Sequence, residues 1–234
     1  MLGDLKKAVF EANQELVRRG LVKGTWGNVS GIDRGHGLVV IKPSGLAYDV
    51  MQPDDMAVVS LADGQVVEGR HRPSSDTPTH LELYRSFGAI GGIVHTHSLY
   101  ATAWAQAKRD IPALGTTHAD HFHGPVRCTR LLRPTEIKGE YEHTTGRVIV
   151  ECVGRRDPLD SAAVLVASHG PFAWGATPRE AVENADVLEQ IARMASETLR
   201  IAPRARSMQP LLLDKHFLRK HGAGAYYGQR PGRH

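Results

Sequence analysis

His95, Thr96 and His97 close the apolar run Ile90-Gly91-Gly92-Ile93-Val94, and His169 closes a second run, Ala162-Ala163-Val164-Leu165-Val166-Ala167-Ser168. Two buried strands would then each deliver imidazole at one end. Residues i and i+2 of a strand project from one face, roughly 6.5 to 7 Å apart. From that spacing two imidazoles can converge on one ion at about 2.0 to 2.1 Å. Three neutral nitrogen donors leave a tetrahedral zinc with an open position, or with room for one carboxylate, whereas a structural zinc is usually closed by cysteine. With 13 histidines in the chain, a lone His-x-His pair would carry little weight. The third histidine, at another strand end, makes the set read as metal ligands.

A second group is small and polar. Gly27-Asn28, Ser44-Gly45 and Ser74-Ser75 lie on three loops, where small residues let a phosphate approach the backbone and hydroxyls, amides or a helix N-terminus donate to it. Lys42 could add a point charge. Asp76 precedes Thr77-Pro78 and is either the carboxylate nearest the metal or a capping aspartate, and both readings put it at a helix start. Asp120, in a histidine-rich loop, could carry a proton if its surroundings raised its pKa. Tyr227, near the C-terminus, is on local sequence as much a packing residue as a catalytic one.

The elements that must position these residues follow from periodicity. Leu5, Val9, Ala12, Leu16 and Val17 recur at helical spacing and predict a helix from about 4 to 19. A glycine-punctuated segment, 24 to 31, leads to a strand at 37–41. The runs 56–61 and 65–68 flank Ala62-Asp63-Gly64 as a hairpin. Thr77 as N-cap and Pro78 at the first helical position open a helix through Phe87, and Ser98 can cap another over Ala101 to Ala107. The stretch from about 111 to 145 reads as irregular, and Arg147-Val148-Ile149-Val150-Glu151 reads as a strand. Thr177-Pro178-Arg179-Glu180 matches a capping box opening the longest helix, 178 to 200, and a last helix spans 211 to 221. Helices would flank one central sheet.

Composition restricts the class. The 234 residues suit a single α/β domain. At 41% hydrophobic and 23% charged they match soluble globular averages, with no apolar stretch long enough for a membrane span. No signal-peptide core follows the N-terminus, so the expected location is the cytoplasm. A net charge of +4 with no basic stripe interleaved with aromatics excludes nucleic acid and suits a small phosphorylated ligand. Cys128 and Cys152 lack metal or redox spacing and read as packing residues. Arg230 to His234 read as a disordered basic tail.

Several longer motifs carry a resemblance. Gly24-Thr25-Trp26-Gly27-Asn28-Val29-Ser30, Ile41-Lys42-Pro43-Ser44-Gly45, Pro73-Ser74-Ser75-Asp76-Thr77-Pro78-Thr79-His80, Gly92-Ile93-Val94-His95-Thr96-His97-Ser98, Gly115-Thr116-Thr117-His118-Ala119-Asp120, Ser168-His169-Gly170-Pro171-Phe172 and Ala225-Tyr226-Tyr227-Gly228-Gln229 together resemble the L-ribulose-5-phosphate 4-epimerases of the class II aldolase and adducin-like group. The likeness runs from the first helix to Gln229. It implies an α/β/α sandwich around a central, largely antiparallel sheet, covering residues 1–229 as one domain, in a homotetramer with active sites at subunit interfaces.

By the same resemblance the metal set falls on Asp76, His95, His97 and His169. Phosphate and substrate contacts fall on Gly27, Asn28, Lys42, Ser44, Gly45, Ser74 and Ser75, and acid/base residues of the neighbouring subunit on Asp120 and Tyr227. The His121-Phe122-His123 cluster departs from the pattern and could tune Asp120 or be surface. The reaction implied is zinc-dependent epimerisation at carbon 4 of L-ribulose 5-phosphate, giving D-xylulose 5-phosphate by retro-aldol cleavage and re-addition through a metal-bound enediolate, in pentose (L-arabinose) catabolism. Manganese or cobalt would suit the same ligands. The related L-fuculose-phosphate aldolases would cleave and release the aldehyde, but usually carry glutamate where Asp76 stands and lack the segment 116–120. An adducin-like binding module would have lost the histidines, and a structural zinc site would be closed by cysteine.

Overall fold

The computed structural model describes residues 2–227, so the expected tail and the Gly228-Gln229 end of the last motif lie outside the described residues. Seven strands form one sheet: β1 Asn28–Asp33, β2 Leu38–Ile41, β3 Ala57–Ser60, β4 Val66–Glu68, β5 Gly92–His95, β6 Ala163–Val166 and β7 Gly170–Gly175. Their order is β4-β3-β2-β1-β5-β7-β6, and every neighbouring pair is antiparallel. The helices are α1 Leu2–Arg18, α2 Thr77–Ser86, α3 Leu99–Ala107, α4 Thr116–Ala119, α5 Pro134–Lys138, α6 Tyr141–Val153, α7 Pro178–Ile201 and α8 Pro210–His221.

Side-chain alternation along β1 sorts the helices into two layers. Ser30 points to one face, where its hydroxyl meets His80 Nδ1 at 2.7 Å and the Tyr84 hydroxyl at 2.8 Å, both on α2. Gly31 points to the other, where an added Cβ would stand 2.9 Å from Leu5 and Val9 of α1 and from Pro178 of α7. The molecule is thus the expected α/β/α sandwich, with α2 and α6 packed together on one side and α1, α3 and α7 on the other. The main core runs through both layers, from Leu16 and Val29 to Trp174 and Leu188.

The predicted helices at 4–19, 178–200 and 211–221, the strand at 37–41 and the hairpin across 62–64 are present within a residue or two. Thr177 caps α7 as read, its hydroxyl accepting from the Glu180 amide at 3.1 Å while Glu180 reaches back to the Ala176 amide at 3.0 Å. Two caps differ. The N-cap position of α2 is Asp76, not Thr77, and its side chain makes no capping bond. Ser98 holds the N-cap position of α3 without a capping bond; the Tyr100 and Ala101 amides instead donate to the Glu189 carboxylate of α7, at 2.8 and 2.9 Å. A charged acceptor from a packed neighbour replaces the local hydroxyl.

The strand expected at Arg147–Glu151 is part of helix α6, and the region read as irregular contains α4, α5 and the start of α6. The β-branched run misleads because burial overrides weak β propensity. Thr145, Val148, Ile149 and Val153 share a helical face that is buried. Gly146 brings α6 so close to α2 that a Cβ would meet Glu82 Cβ at 2.7 Å. Strands β1 and β7 lie in segments read only as a glycine-rich run and as the motif following His169. Cys128 and Cys152 are free thiols, half-buried against the core as expected.

Gly92 pairs with Gly31 and Gly175 in the centre of the sheet, where α7 begins. A Cβ there would lie 2.4 Å from the Pro178 backbone, closer than any relaxation of a side chain could relieve. Gly92→Ala is expected to destabilise the fold by about 3 kcal/mol or more, read as a lowered urea midpoint at unchanged slope. An unchanged midpoint would refute this packing.

Candidate metal centre

Strand β5 ends at His95, and Thr96 and His97 continue the chain into the turn before α3. His97 is therefore beyond the strand, not on it, yet the two imidazoles converge, with Nε2 atoms 3.1 Å apart. His169 sits in the tight turn joining β6 to β7, made possible by Ser168 in the left-handed region at φ 64° and closed by the His169 amide donating to the Val166 carbonyl at 3.0 Å. One ligand atom from each of His95, His97 and His169 lies within 4.8 Å of the others. The three histidines can hold a metal ion.

Two ligands at about 2.0 to 2.1 Å on a tetrahedral ion stand roughly 3.3 Å apart, close to the separation of the two Nε2 atoms. The protonation states fit as well. His95 Nδ1 faces the Pro171 carbonyl at 3.0 Å; a carbonyl only accepts, so this nitrogen carries the hydrogen and Nε2 offers a lone pair. His95 stacks on Phe172, its cross-strand partner, at 4.2 Å. Burial pushes the His95 pKa down to about 3, and burial likewise lowers those of His97 and His169. All three are neutral imidazoles, the form that binds metal.

Asn28, Asp76 and His95 form the next link. Asn28 is paired with His95 across β1 and β5, and its amide donates to Asp76 at 2.7 Å and to the Ser74 hydroxyl at 3.1 Å. Burial alone would raise the Asp76 pKa, but the Asn28 amide donating to the carboxylate works against it, and the pKa is held below the usual carboxylate value. Asp76 is thus an ionised carboxylate held by Asn28 that makes no capping bond to α2, and it stands outside the group of three histidines whose ligand atoms lie within 4.8 Å of one another. Asn28 Oδ1 is buried without a partner among the described residues, an acceptor left for a donor that enters the site.

A cavity of about 660 Å³ gathers these groups. Gly27, Asn28, Lys42, Ser44, Gly45, Ser74, Ser75, Asp76, His95, His97 and His169, the residues expected to bind metal and phosphate, all line it. Thr25, Trp26, Tyr141 and Glu142 line it too. Tyr141 and Glu142 were missed because they open α6, the helix misread from sequence, and only α6 packing on α2 brings them here. The Tyr141 hydroxyl stands 3.4 Å from His169 Nδ1.

Asp120 and Tyr227 do not line this cavity. They meet each other elsewhere, through α8. Asp120 takes hydrogen bonds from Arg219 at 2.9 Å and pairs with His216 at 3.0 Å, and the Arg219 guanidinium lies 4.3 Å over the Tyr227 ring. Burial would raise the Asp120 pKa, but His216 and Arg219 outweigh it and hold it low, so its surroundings do not make it a proton-laden acid. Of the cluster beside it, Phe122 is core and His123 docks α8, stacking on Phe217 and meeting Asp214 at 2.8 Å.

The antiparallel seven-stranded sheet with histidines converging at its edge of turns defines a class of proteins. The chain belongs to the class II aldolase and adducin N-terminal domain family, whose model matches residues 7–196. It is 58% identical over 226 residues to the L-ribulose-5-phosphate 4-epimerase UlaF of Salmonella paratyphi B (strain ATCC BAA-1250 / SPB7), covering 97% of this chain and 99% of that one. Among solved structures it is similar to an L-fuculose 1-phosphate aldolase, at 25% identity and a TM-score of 0.77 over 91% of this chain and 94% of the other. It is similar also to YgbL, a putative aldolase/epimerase/decarboxylase from Klebsiella pneumoniae, at 25% identity and a TM-score of 0.73 over 92% and 98%. No helix among the described residues is long and apolar enough to cross a membrane.

Burial of neutral histidines has a cost that pH exposes. His80, fully buried against Ser30, is pushed down to about 4, and His95 to about 3. Below about pH 6.5 the unfolded chain takes up protons at both positions while the folded, metal-free protein does not, so stability falls as pH drops. Urea unfolding of metal-free protein is expected to show a loss of roughly 3 kcal/mol between pH 7 and pH 5. A flat profile over that interval would contradict these burial states.

Proposed function

We propose that this protein is an L-ribulose-5-phosphate 4-epimerase, interconverting L-ribulose 5-phosphate and D-xylulose 5-phosphate by breaking and remaking the bond between carbons 3 and 4. The observation that carries the reading is one cavity lined jointly by three neutral histidines, an ionised Asp76 and three small-residue loops, in a chain 58% identical over nearly its whole length to a protein of that name. Removing the hydrogen on carbon 4 directly would mean abstracting a proton of very low acidity. Cleavage next to the ketone is the easier route.

Asp76, His95, His97 and His169 would hold zinc, or manganese or cobalt in its place, and the bound metal would supply Lewis acidity toward the ketone and its neighbouring hydroxyl. Asp76 brings the negative charge that the three neutral imidazoles lack, and Asn28 keeps that carboxylate aimed by its 2.7 Å bond. Ser44, Gly45, Ser74 and Ser75, with Gly27, Asn28 and Lys42, hold the phosphate end, so the aldehyde half stays bound while it turns to present its opposite face. Retention by the phosphate separates epimerisation from aldol release.

Asp120 and Tyr227 act on the carbon 4 hydroxyl from a neighbouring subunit of a homotetramer. That neither lines this chain's own cavity supports that role, as does Arg219, which bonds the Asp120 carboxylate and lies over the Tyr227 ring. Asp120, kept ionised, is suited to take the hydroxyl proton, and the Tyr227 phenol to give one on the other face. The reaction belongs to carbohydrate catabolism, with L-arabinose breakdown as the expected supply.

Zinc-loaded protein given L-ribulose 5-phosphate is expected to accumulate D-xylulose 5-phosphate without net glycolaldehyde phosphate; accumulation of the aldehyde would instead mark an aldolase like the L-fuculose 1-phosphate enzyme. Tyr227→Phe should lower kcat by about a hundredfold or more with little change in KM, and equal losses in both would argue for a binding role. Mixing Tyr227→Phe and His97→Asn subunits after dissociation should restore activity that neither variant has, because some sites then join an intact metal set to an intact tyrosine. Failure of correctly reassembled hybrids to regain activity would place all catalytic groups in one chain.

A further inference from the structure

Lys42 is a buried cation without an acid. Only 1% of it is exposed, burial lowers its pKa to about 8, and no carboxylate pairs with it among the described residues. Its ammonium has two partners: the Pro43 carbonyl at 3.2 Å and the ring of Tyr48, whose centroid is 4.7 Å away. A ring face favours a cation without neutralising it, so the charge stays available to an entering anion. An aspartate in the same place would have cancelled it.

The other end of Tyr48 reaches the second phosphate loop. Its hydroxyl donates to the Gly27 carbonyl at 2.9 Å and lies 3.1 Å from that of Trp26. Carbonyls turned toward Tyr48 send the following amides the opposite way, since a trans peptide points the two groups apart. The Gly27 amide has no acceptor among the described residues. At φ 83° Gly27 also passes so near β5 that a Cβ would meet the His95 carbonyl at 2.8 Å, which ties this loop to the metal-bearing strand. Tyr48 itself does not line the cavity. It is held from behind, its carbonyl accepting from Gln14 of α1 at 2.6 Å and its ring buried with Val9, Val40, Met51, Met56 and Val58.

We propose that Tyr48 is a positioning residue for phosphate recognition, its ring seating the Lys42 ammonium and its hydroxyl fixing the Trp26–Gly27 backbone, so that one side chain sets two phosphate-binding loops relative to each other. This rests on the reading that Lys42 and Gly27 receive the substrate's phosphate.

The test is steady-state kinetics of zinc-loaded enzyme with L-ribulose 5-phosphate, and inhibition by inorganic phosphate, for Tyr48→Phe, Tyr48→Leu, Lys42→Met and the Leu/Met double variant. Tyr48→Leu is expected to raise KM and the phosphate inhibition constant about tenfold while kcat stays within about twofold. Tyr48→Phe, which keeps the ring and loses the hydroxyl, should raise both about threefold, and it carries the test by itself if the leucine variant does not fold. The double variant should be no weaker than Lys42→Met by more than the loss seen in Tyr48→Phe. Fully multiplicative losses, a fall in kcat at unchanged KM, or wild-type constants for Tyr48→Phe would overturn the proposal. If Lys42→Met itself left phosphate inhibition unchanged, the phosphate assignment would fall; if Lys42→Met weakened it and the Tyr48 variants did not, only the role of Tyr48 would.

Discussion

His95 Nδ1 donates to the Pro171 carbonyl at 3.0 Å, across the pair of strands β5 and β7, and the rest of the site depends on that bond. It fixes the tautomer, so Nε2 faces the cavity as a lone pair. It also fixes the ring plane, which stacks at 18° on Phe172 in the adjacent register position. A freely rotating imidazole at a strand end would hold a metal poorly. Here a carbonyl of β7, two residues beyond His169, orients the ring, so the sheet register that places one ligand also places another.

The surrounding electrostatics follow from this constraint. Removing three imidazoles from water keeps them neutral, and a neutral set needs a carboxylate beside it to offset a divalent ion. Asp76 is the carboxylate proposed for that role, and the Asn28 amide that donates to it opposes the cost of burial. Lys42, which lines the same cavity, is treated in the opposite way, buried without an acid among the described residues. The cavity therefore combines a carboxylate with an acid-free cation, a pairing suited to the proposed substrate, which would offer oxygen donors at one end and a phosphate at the other.

Much of this was legible in the sequence. The histidines, the small-residue loops, Lys42 and Asp76 belong to short motifs whose chemistry is local, and the structure collects all eleven of those residues around one cavity. Asp76 is ambiguous from its neighbours alone, because a cap and a ligand both belong at a helix start; the structure removes the capping reading, since the side chain makes no capping bond and is held by Asn28, distant in sequence. Tyr141 and Glu142 were illegible for a different reason. Their helix reads as a strand, since Val148, Ile149 and Val150 favour extended backbone, and only the Gly146 contact with α2 shows why the segment coils. Tyr48 gave no signal at all: its hydroxyl reaches a loop, and its ring a lysine, that sequence spacing does not connect to it.

An open metal centre built from neutral imidazoles would be visible in X-ray absorption at the zinc edge of loaded protein. Nitrogen and oxygen scatterers alone are expected, at about 2.0 to 2.1 Å with the outer-shell pattern of three imidazoles, and a shell that changes when L-ribulose 5-phosphate is added. A sulfur scatterer near 2.3 Å, fewer than three imidazoles, or a shell indifferent to the sugar phosphate would contradict it.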